Sequence, residues 1–377
     1  MLLNHRFTRH AIAAVLLVLA GRAFSDEIEA LDPNFASPSP EGGIVWYDAL
    51  QLGLIGQGWT DLATPYDRLP AKAEGVVREP VWSLSQRTSG LAVRFRSDSP
   101  KLAARWSLRL ESLDMPHMPS TGVSGLDLYA RDQGAWRWVA GARPKEQNDN
   151  EANLASSTPG GMQEYLLYLP LYNGITKLEI GVWKDSVLAK ADQETKRPIV
   201  FYGTSITNGG CASRPGMAYP ALVGRRLDWP AINLGFSGNG KMEPELADLL
   251  AELDPAVYVL DCLPNMNPEL VRERVAPFVH TLRKAHPDTP ILLVENIVYQ
   301  GAWFHPGPSS HELKNEALRE VYAALQAEGV EGLYYLPGDN YLGNDGLATV
   351  DGTHPTDLGF FRQADALEPV LRGILEK

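Results

Sequence analysis

Pro198-Ile199-Val200-Phe201-Tyr202-Gly203-Thr204-Ser205 is an apolar run that closes in a glycine-assisted turn. Apolar residues in succession, with no alternation, read as a strand covered on both faces, the situation of a parallel sheet. Ser205 then lies where the strand ends, which is where α/β proteins place reactive groups. The pattern returns at residues 231–234, 257–261, 291–295 and 333–336, with helix-length segments between them. Between the last two, Leu313, Ala317, Leu318, Val321 and Leu325 recur at helical spacing and predict a helix with one face on the sheet. Strands alternating with helices over residues 198–377 predict an α/β unit built on a doubly wound parallel sheet.

The first half has a different period. Segments 91–96, 105–110, 126–131, 136–140 and 177–182 alternate apolar and polar side chains. Such alternation predicts antiparallel strands with one face in the core and one in water. The expected organisation is a jelly-roll-like antiparallel β-sandwich over residues 44–187, preceded by an extension over 26–43 and joined by a linker over 188–197 to the α/β unit. A chain of 377 residues is long enough for two such cores.

Two further segments carry chemistry: Gly235-Phe236-Ser237-Gly238-Asn239 and Asp351-Gly352-Thr353-His354-Pro355. A serine after a strand is commonly a helix N-cap, and Gly238 reads equally as a turn residue. Asp351 and His354 add a second possibility. Three residues apart in a turn, the carboxylate can accept a hydrogen bond from one imidazole nitrogen while the other nitrogen faces a serine. Other hydrolase patterns are missing, since Thr207 breaks a Gly-x-Ser-x-Gly elbow and there is no His-Glu-x-x-His. No metal or cofactor is called for.

Taken with Asp261-Cys262-Leu263-Pro264-Asn265-Met266, these segments resemble the SGNH (GDSL-type) hydrolases, over residues 197–375. Ser205, Gly238, Asn265 and the Asp351/His354 pair match the four blocks in order, each expected at a strand end. The sequence departs from the family at Thr204, where many members have Asp, and at Leu-Pro-Asn, where Gly-x-Asn-Asp is usual. The resemblance implies a flavodoxin-like sheet and a Ser205–His354–Asp351 triad. It also implies an oxyanion hole of the Ser205 and Gly238 N–H groups and the Asn265 amide. Gly125-Leu126-Asp127-Leu128-Tyr129 is similar to the Gly-x-Asp-Leu-Tyr signature of the N-terminal domain found on some SGNH esterases.

Other features bear on location and substrate. His5, Arg6, Arg9 and His10 precede an apolar stretch over residues 11–20, the outline of a signal peptide spanning 1–25, so an exported, periplasmic or extracellular protein is expected. No later stretch reads as transmembrane. Cys211 and Cys262 are the two cysteines, which in an exported chain form a disulfide or remain buried thiols. The net charge of −12 argues against nucleic acid and anionic lipid as partners. His117, in a Pro- and Met-rich loop, and Trp303 and His305, after the fourth parallel strand, are candidate substrate-binding residues; each segment also reads as domain-interface packing, the first reading for the His117 loop. By analogy with exported two-domain members, the expected reaction is removal of a short acyl group, acetyl first, from carbohydrate. The alternatives are hydrolysis of lipid or small esters by the same triad, and glycan binding without catalysis.

Overall fold

The computed structural model describes residues 29–339 and 341–377; the expected signal peptide lies outside the described residues. Among the described residues ten strands make the N-terminal part: β1 (Ser37–Pro38), β2 (Ile44–Asp48), β3 (Ala92–Ser97), β4 (Leu102–Leu108), β5 (Leu126–Asp132), β6 (Ala135–Ala142), β7 (Asn150–Ala155), β8 (Gln163–Tyr168), β9 (Ile175–Trp183) and β10 (Leu188–Lys190). They form two antiparallel sheets, ordered β1-β2-β9-β4-β7 and β10-β3-β8-β5-β6. The sheets enclose one core, with Val93, Phe95, Leu128 and Leu167 from the second facing Ala104, Trp106, Leu178 and Ile180 from the first. Residues 188–190, read as linker, are the edge strand β10, paired with β3.

The second sheet departs from the expectation of a wet outer face. Asp127, Tyr129 and Tyr168 are buried there. Asp127 pairs with Arg214 at 2.8 Å and accepts the Gly216 N–H at 2.9 Å, and the Arg225 guanidinium lies 4.0 Å from the Tyr129 ring centre. The Gly-x-Asp-Leu-Tyr segment is thus a docking surface for the C-terminal half. Alternation only says that polar side chains share a face, and here another protein surface takes the place of water.

The C-terminal half is a parallel sheet of β11 (Ile199–Gly203), β12 (Ala231–Gly235), β13 (Val257–Asp261), β14 (Ile291–Val294) and β15 (Leu333–Leu336), ordered β12-β11-β13-β14-β15. Val200, Tyr202, Leu234, Tyr258 and Leu260 point to the face covered by helices Pro244–Leu250, Pro268–Ala285 and Ser310–Ala327. Ile199, Phe201, Val257 and Val259 point to the other, covered by Tyr219–Leu227 and Asp357–Leu375. In helix Ser310–Ala327 the buried stripe includes His311, Lys314, Ala317, Leu318, Val321 and Leu325, whereas Leu313 is exposed.

Residues 49–91, between β2 and β3, serve both cores: Ala49, Leu52, Tyr66 and Leu91 stay in the sandwich, while other side chains pack on the parallel sheet. Trp59, Leu69, Val77, Val81 and Trp82 share a core with Leu234, Phe236 and Leu246. The two halves therefore share a hydrophobic core as well as a polar interface.

Candidate active site

The order β12-β11-β13 reverses direction at β11, and the crevice beyond the carboxyl ends of such strands is the usual ligand site of open α/β sheets. Ser205 leaves β11 as the first residue of a single helical turn, Ser205–Asn208. Thr204 caps that turn: its side chain accepts the Ile206 N–H at 3.3 Å, while Thr207 Oγ1 accepts the Thr204 N–H at 3.2 Å. The N-cap role therefore belongs to Thr204. The Ser205 hydroxyl is left for another partner, and its N–H, at the first helical position, has no intrahelical acceptor.

That partner is His354, whose Nε2 lies 2.8 Å from Ser205 Oγ. On the other side of the ring, Nδ1 is 2.7 Å from Asp351 Oδ2. Asp351 Oδ1 accepts the Thr353 N–H at 3.0 Å and the His354 N–H at 2.7 Å, so the turn positions its own carboxylate. Partial burial by itself would raise the Asp351 pKa, but these N–H groups and the imidazole bring it down to about 2. The turn is tied to the loop after β14, where the Gln300 N–H donates to Gly352 O at 3.0 Å and Thr349 Oγ1 is 2.8 Å from Gln300 Oε1.

Gly238 lies in the turn after β12 with φ of +70°, and a Cβ built there meets nothing within 4 Å, so backbone conformation is what favours glycine. Asn265 ends a single 3-10 turn, Leu263–Asn265, after β13. Pro264 fits because the first positions of such a turn need no donated N–H. Asn265 Oδ1 accepts the Gly240 N–H at 3.2 Å, which ties this turn to that of Gly238 and leaves the amide hydrogens of Asn265 as its remaining donors.

The other candidates divide. His117 is exposed, with its ring centre 6.2 Å from that of His354, while its neighbour Met118 is buried in the core around β11 and β13. The loop is an interface plug and a rim of the site at once. His305 lines an open groove of about 390 Å³ with Tyr299, Ser309, Asp351 and Thr353. Trp303, 84% exposed, lines an adjoining groove with Val298, Tyr341 and Leu342, which shares Tyr299 and Ala302 with the first.

The disulfide alternative is corrected, because Cys211 and Cys262 are both free and buried. Their loops share one end of the sheet, but Cys262 packs into the core, 3.7 Å from Tyr202 O, while Cys211 sits near Asp351.

Three residues at the site gave no sequence signal. Tyr172, following β8, places its hydroxyl 3.4 Å from Ser205 O. Arg68 is 1% exposed and donates to the carbonyls of Asn233 and Gly235 at 3.0 Å and of Leu84 and Arg87 at 2.8 Å. Burial, then the charge of Arg87, pushes the Arg68 pKa down to about 9. Arg78 reaches the Gly238 turn itself, through Asn239. None belongs to a periodic pattern or a motif, and the bonds of Tyr172 and Arg68 are to carbonyls that every residue has.

A serine hydroxyl, an imidazole and a carboxylate in hydrogen-bonded sequence, beside two turns with free donors, can support acyl transfer. On a sheet of this order they define a hydrolase of the flavodoxin-like α/β class. The profile of the GDSL-like Lipase/Acylhydrolase family matches residues 196–372, and that of the GxDLY domain, the N-terminus of Esterase_SGNH_hydro-type proteins, matches 44–188. A GDSL-like lipase from Bacteroides ovatus is 37% identical, over 88% of this chain and 98% of that one, with a TM-score of 0.84. The chain belongs to the GDSL-like, or SGNH, hydrolase family, and its class is that of ester hydrolases. Two structures share its fold at lower identity. The salicylyl-acyltransferase SsfX3 of a tetracycline biosynthetic pathway is 21% identical over 90% and 98% of the two chains, with a TM-score of 0.71. A family two carbohydrate esterase from Clostridium thermocellum, in complex with cellohexaose, is 15% identical over 86% and 99%, with a TM-score of 0.59. No curated protein matches this chain.

Proposed function

We propose that this chain is an exported serine esterase that removes short acyl groups, acetyl first, from carbohydrate. The observation that carries the chemistry is the hydrogen-bonded sequence Ser205 Oγ, His354 Nε2, His354 Nδ1, Asp351 Oδ2. His354 takes the Ser205 proton as the oxygen attacks the ester carbonyl, and Asp351 holds the imidazolium that forms. The oxyanion receives the N–H groups of Ser205 and Gly238 and the Asn265 amide; removing one such donor costs about 3 kcal/mol of transition-state stabilisation. His354 returns the proton to the leaving alcohol, then activates the water that releases the acid from Ser205.

Support for a polar alcohol comes from the open groove beside Asp351, where Ser309, Ser310, Thr353 and His305 supply polar groups among Tyr299, Ala302 and glycine backbone. Among the described residues no helix is long and apolar enough to cross a membrane. The carbohydrate esterase bound to cellohexaose is a precedent for a glycan on this fold. We read the strand order β2-β9-β4-β7 over β3-β8-β5-β6 as jelly-roll-like, with the sandwich as the accessory domain and export, to periplasm or medium, directed by the N-terminal segment.

The test is acetate release from acetylated xylan and pectin beside hydrolysis of 4-nitrophenyl acetate, butyrate and octanoate. Acetate release, with octanoate the poorest of the three esters, is the expected result. A preference for octanoate with no acetate released would move the assignment to lipid esters. A chain inert in both assays that binds the glycans would be a non-catalytic binding protein.

A further inference from the structure

The turn that carries Gly238 has little packing of its own. Gly238 is exposed, and the turn closes on itself through the Asn239 and Gly240 N–H groups, donated to Phe236 O at 2.8 and 3.0 Å. Its ends are held by the Phe236 N–H, donated to Gly203 O at 3.0 Å, and by Asn265 at Gly240; at Asn239, next to Gly238, the outside support is Arg78, a residue of the segment between β2 and β3. Arg78 Nη1 donates to Asn239 Oδ1 at 2.8 Å and Nη2 to Asn239 O at 3.2 Å, so a planar fork grips both side chain and backbone next to Gly238.

The fork is itself fixed. Arg78 Nε donates at 2.8 Å to Glu243, a carboxylate 6% exposed, so the guanidinium is held on both edges. Its backbone is the N-cap of helix Glu79–Ser85, and its carbonyl accepts the Val81 and Trp82 N–H groups at 2.9 and 3.0 Å. Val81 and Trp82 are buried in the core beneath the parallel sheet. A rigid path therefore runs from that core through Arg78 to the turn, while the guanidinium remains partly open to solvent and contacts no member of the triad.

We infer that Arg78 is a positioning residue that holds the Gly238 N–H at the angle the oxyanion requires, which makes the N-terminal half a working part of the active site. The inference rests on the proposed role of Gly238 as an oxyanion donor. A donor on an otherwise open turn stabilises the transition state only while its direction is fixed beforehand, and a small misplacement is felt in turnover more than in substrate affinity.

The full-length chain carrying Arg78→Ala, Asn239→Ala, both changes, or Arg78→Lys tests this, with kcat and KM for 4-nitrophenyl acetate expressed per site titrated by a fluorophosphonate. Arg78→Ala should lower kcat by about tenfold or more with KM within about twofold. Arg78→Lys, which keeps the charge beside Glu243 without the fork, should recover only part of the loss. The double variant should lose less than the product of the single losses, because both remove one contact. Wild-type kcat per titrated site in Arg78→Ala, or losses that multiply independently, would overturn the inference while leaving the esterase intact. If wild type has no activity that depends on Ser205, the underlying reading fails and this inference with it.

Discussion

Cys211 and Cys262 differ from surface thiols in a way that can be measured. Burial, then the charge of Asp351, pushes the Cys211 thiol up to about 12, and burial also holds Cys262 well above the usual thiol range. Thiolate is the reactive form, so neither side chain is a nucleophile at neutral pH. The native chain should react with Ellman's reagent only after unfolding, then yield two thiols without added reductant, and reductant should leave its unfolding midpoint unchanged. No thiol released under those conditions would mean a disulfide after all. The sequence left bonded and free states open because side-chain direction is not encoded in loop position. For Ser205, Asp351 and His354 direction was legible, because strand-end placement and an i, i+3 turn each fix where a side chain points. Arg68, Arg78 and Tyr172 stayed hidden, being anchored in one half of the chain and bonded in the other.

The end of β13 carries a buried carboxyl with no cation against it among the described residues. Asp261 Oδ2 accepts the hydroxyls of Tyr219 at 2.9 Å and Thr207 at 3.3 Å, and Cys262 and Tyr341 are its other titratable neighbours. Burial raises its pKa to about 7, against the lowering effect of the two hydroxyls. A carboxyl raised in the folded state adds stability below its unfolded value near 4 and loses it as pH rises through 7, because the unfolded chain then gives up a proton that the folded chain holds. The difference corresponds to on the order of 4 kcal/mol. Asp261→Asn keeps an acceptor and removes the titration, so in urea unfolding the variant should gain on wild type from about pH 4 to about pH 7 and level off above that. Parallel curves would contradict the buried-carboxyl account. Periodicity located β11 to β15 within a residue of their observed ends, since apolar runs bounded by turns leave few registers. It misassigned Leu313 at a helix margin, and it could not say that Asp127 and Tyr129 would face protein.

The two halves are not separable in the way their different sequence periods suggest. Trp59, Leu69, Val77, Val81 and Trp82 complete the core beneath the parallel sheet, and each contributes roughly 2 kcal/mol by burial. Their sum, on the order of 10 kcal/mol, is as large as the net stability of a typical domain. A fragment of residues 196–377 should therefore show no cooperative thermal transition by circular dichroism when produced alone; a sharp transition with full esterase activity would contradict this. The central claim for the molecule is that Ser205 forms an acyl-enzyme with His354 as its base. The most direct measurement is peptide mapping after brief exposure of the full-length chain to a fluorophosphonate. The account predicts one adduct, on Ser205, formed far more slowly in His354→Ala. An adduct on another residue, or labelling of Ser205 at the same rate without His354, would contradict it.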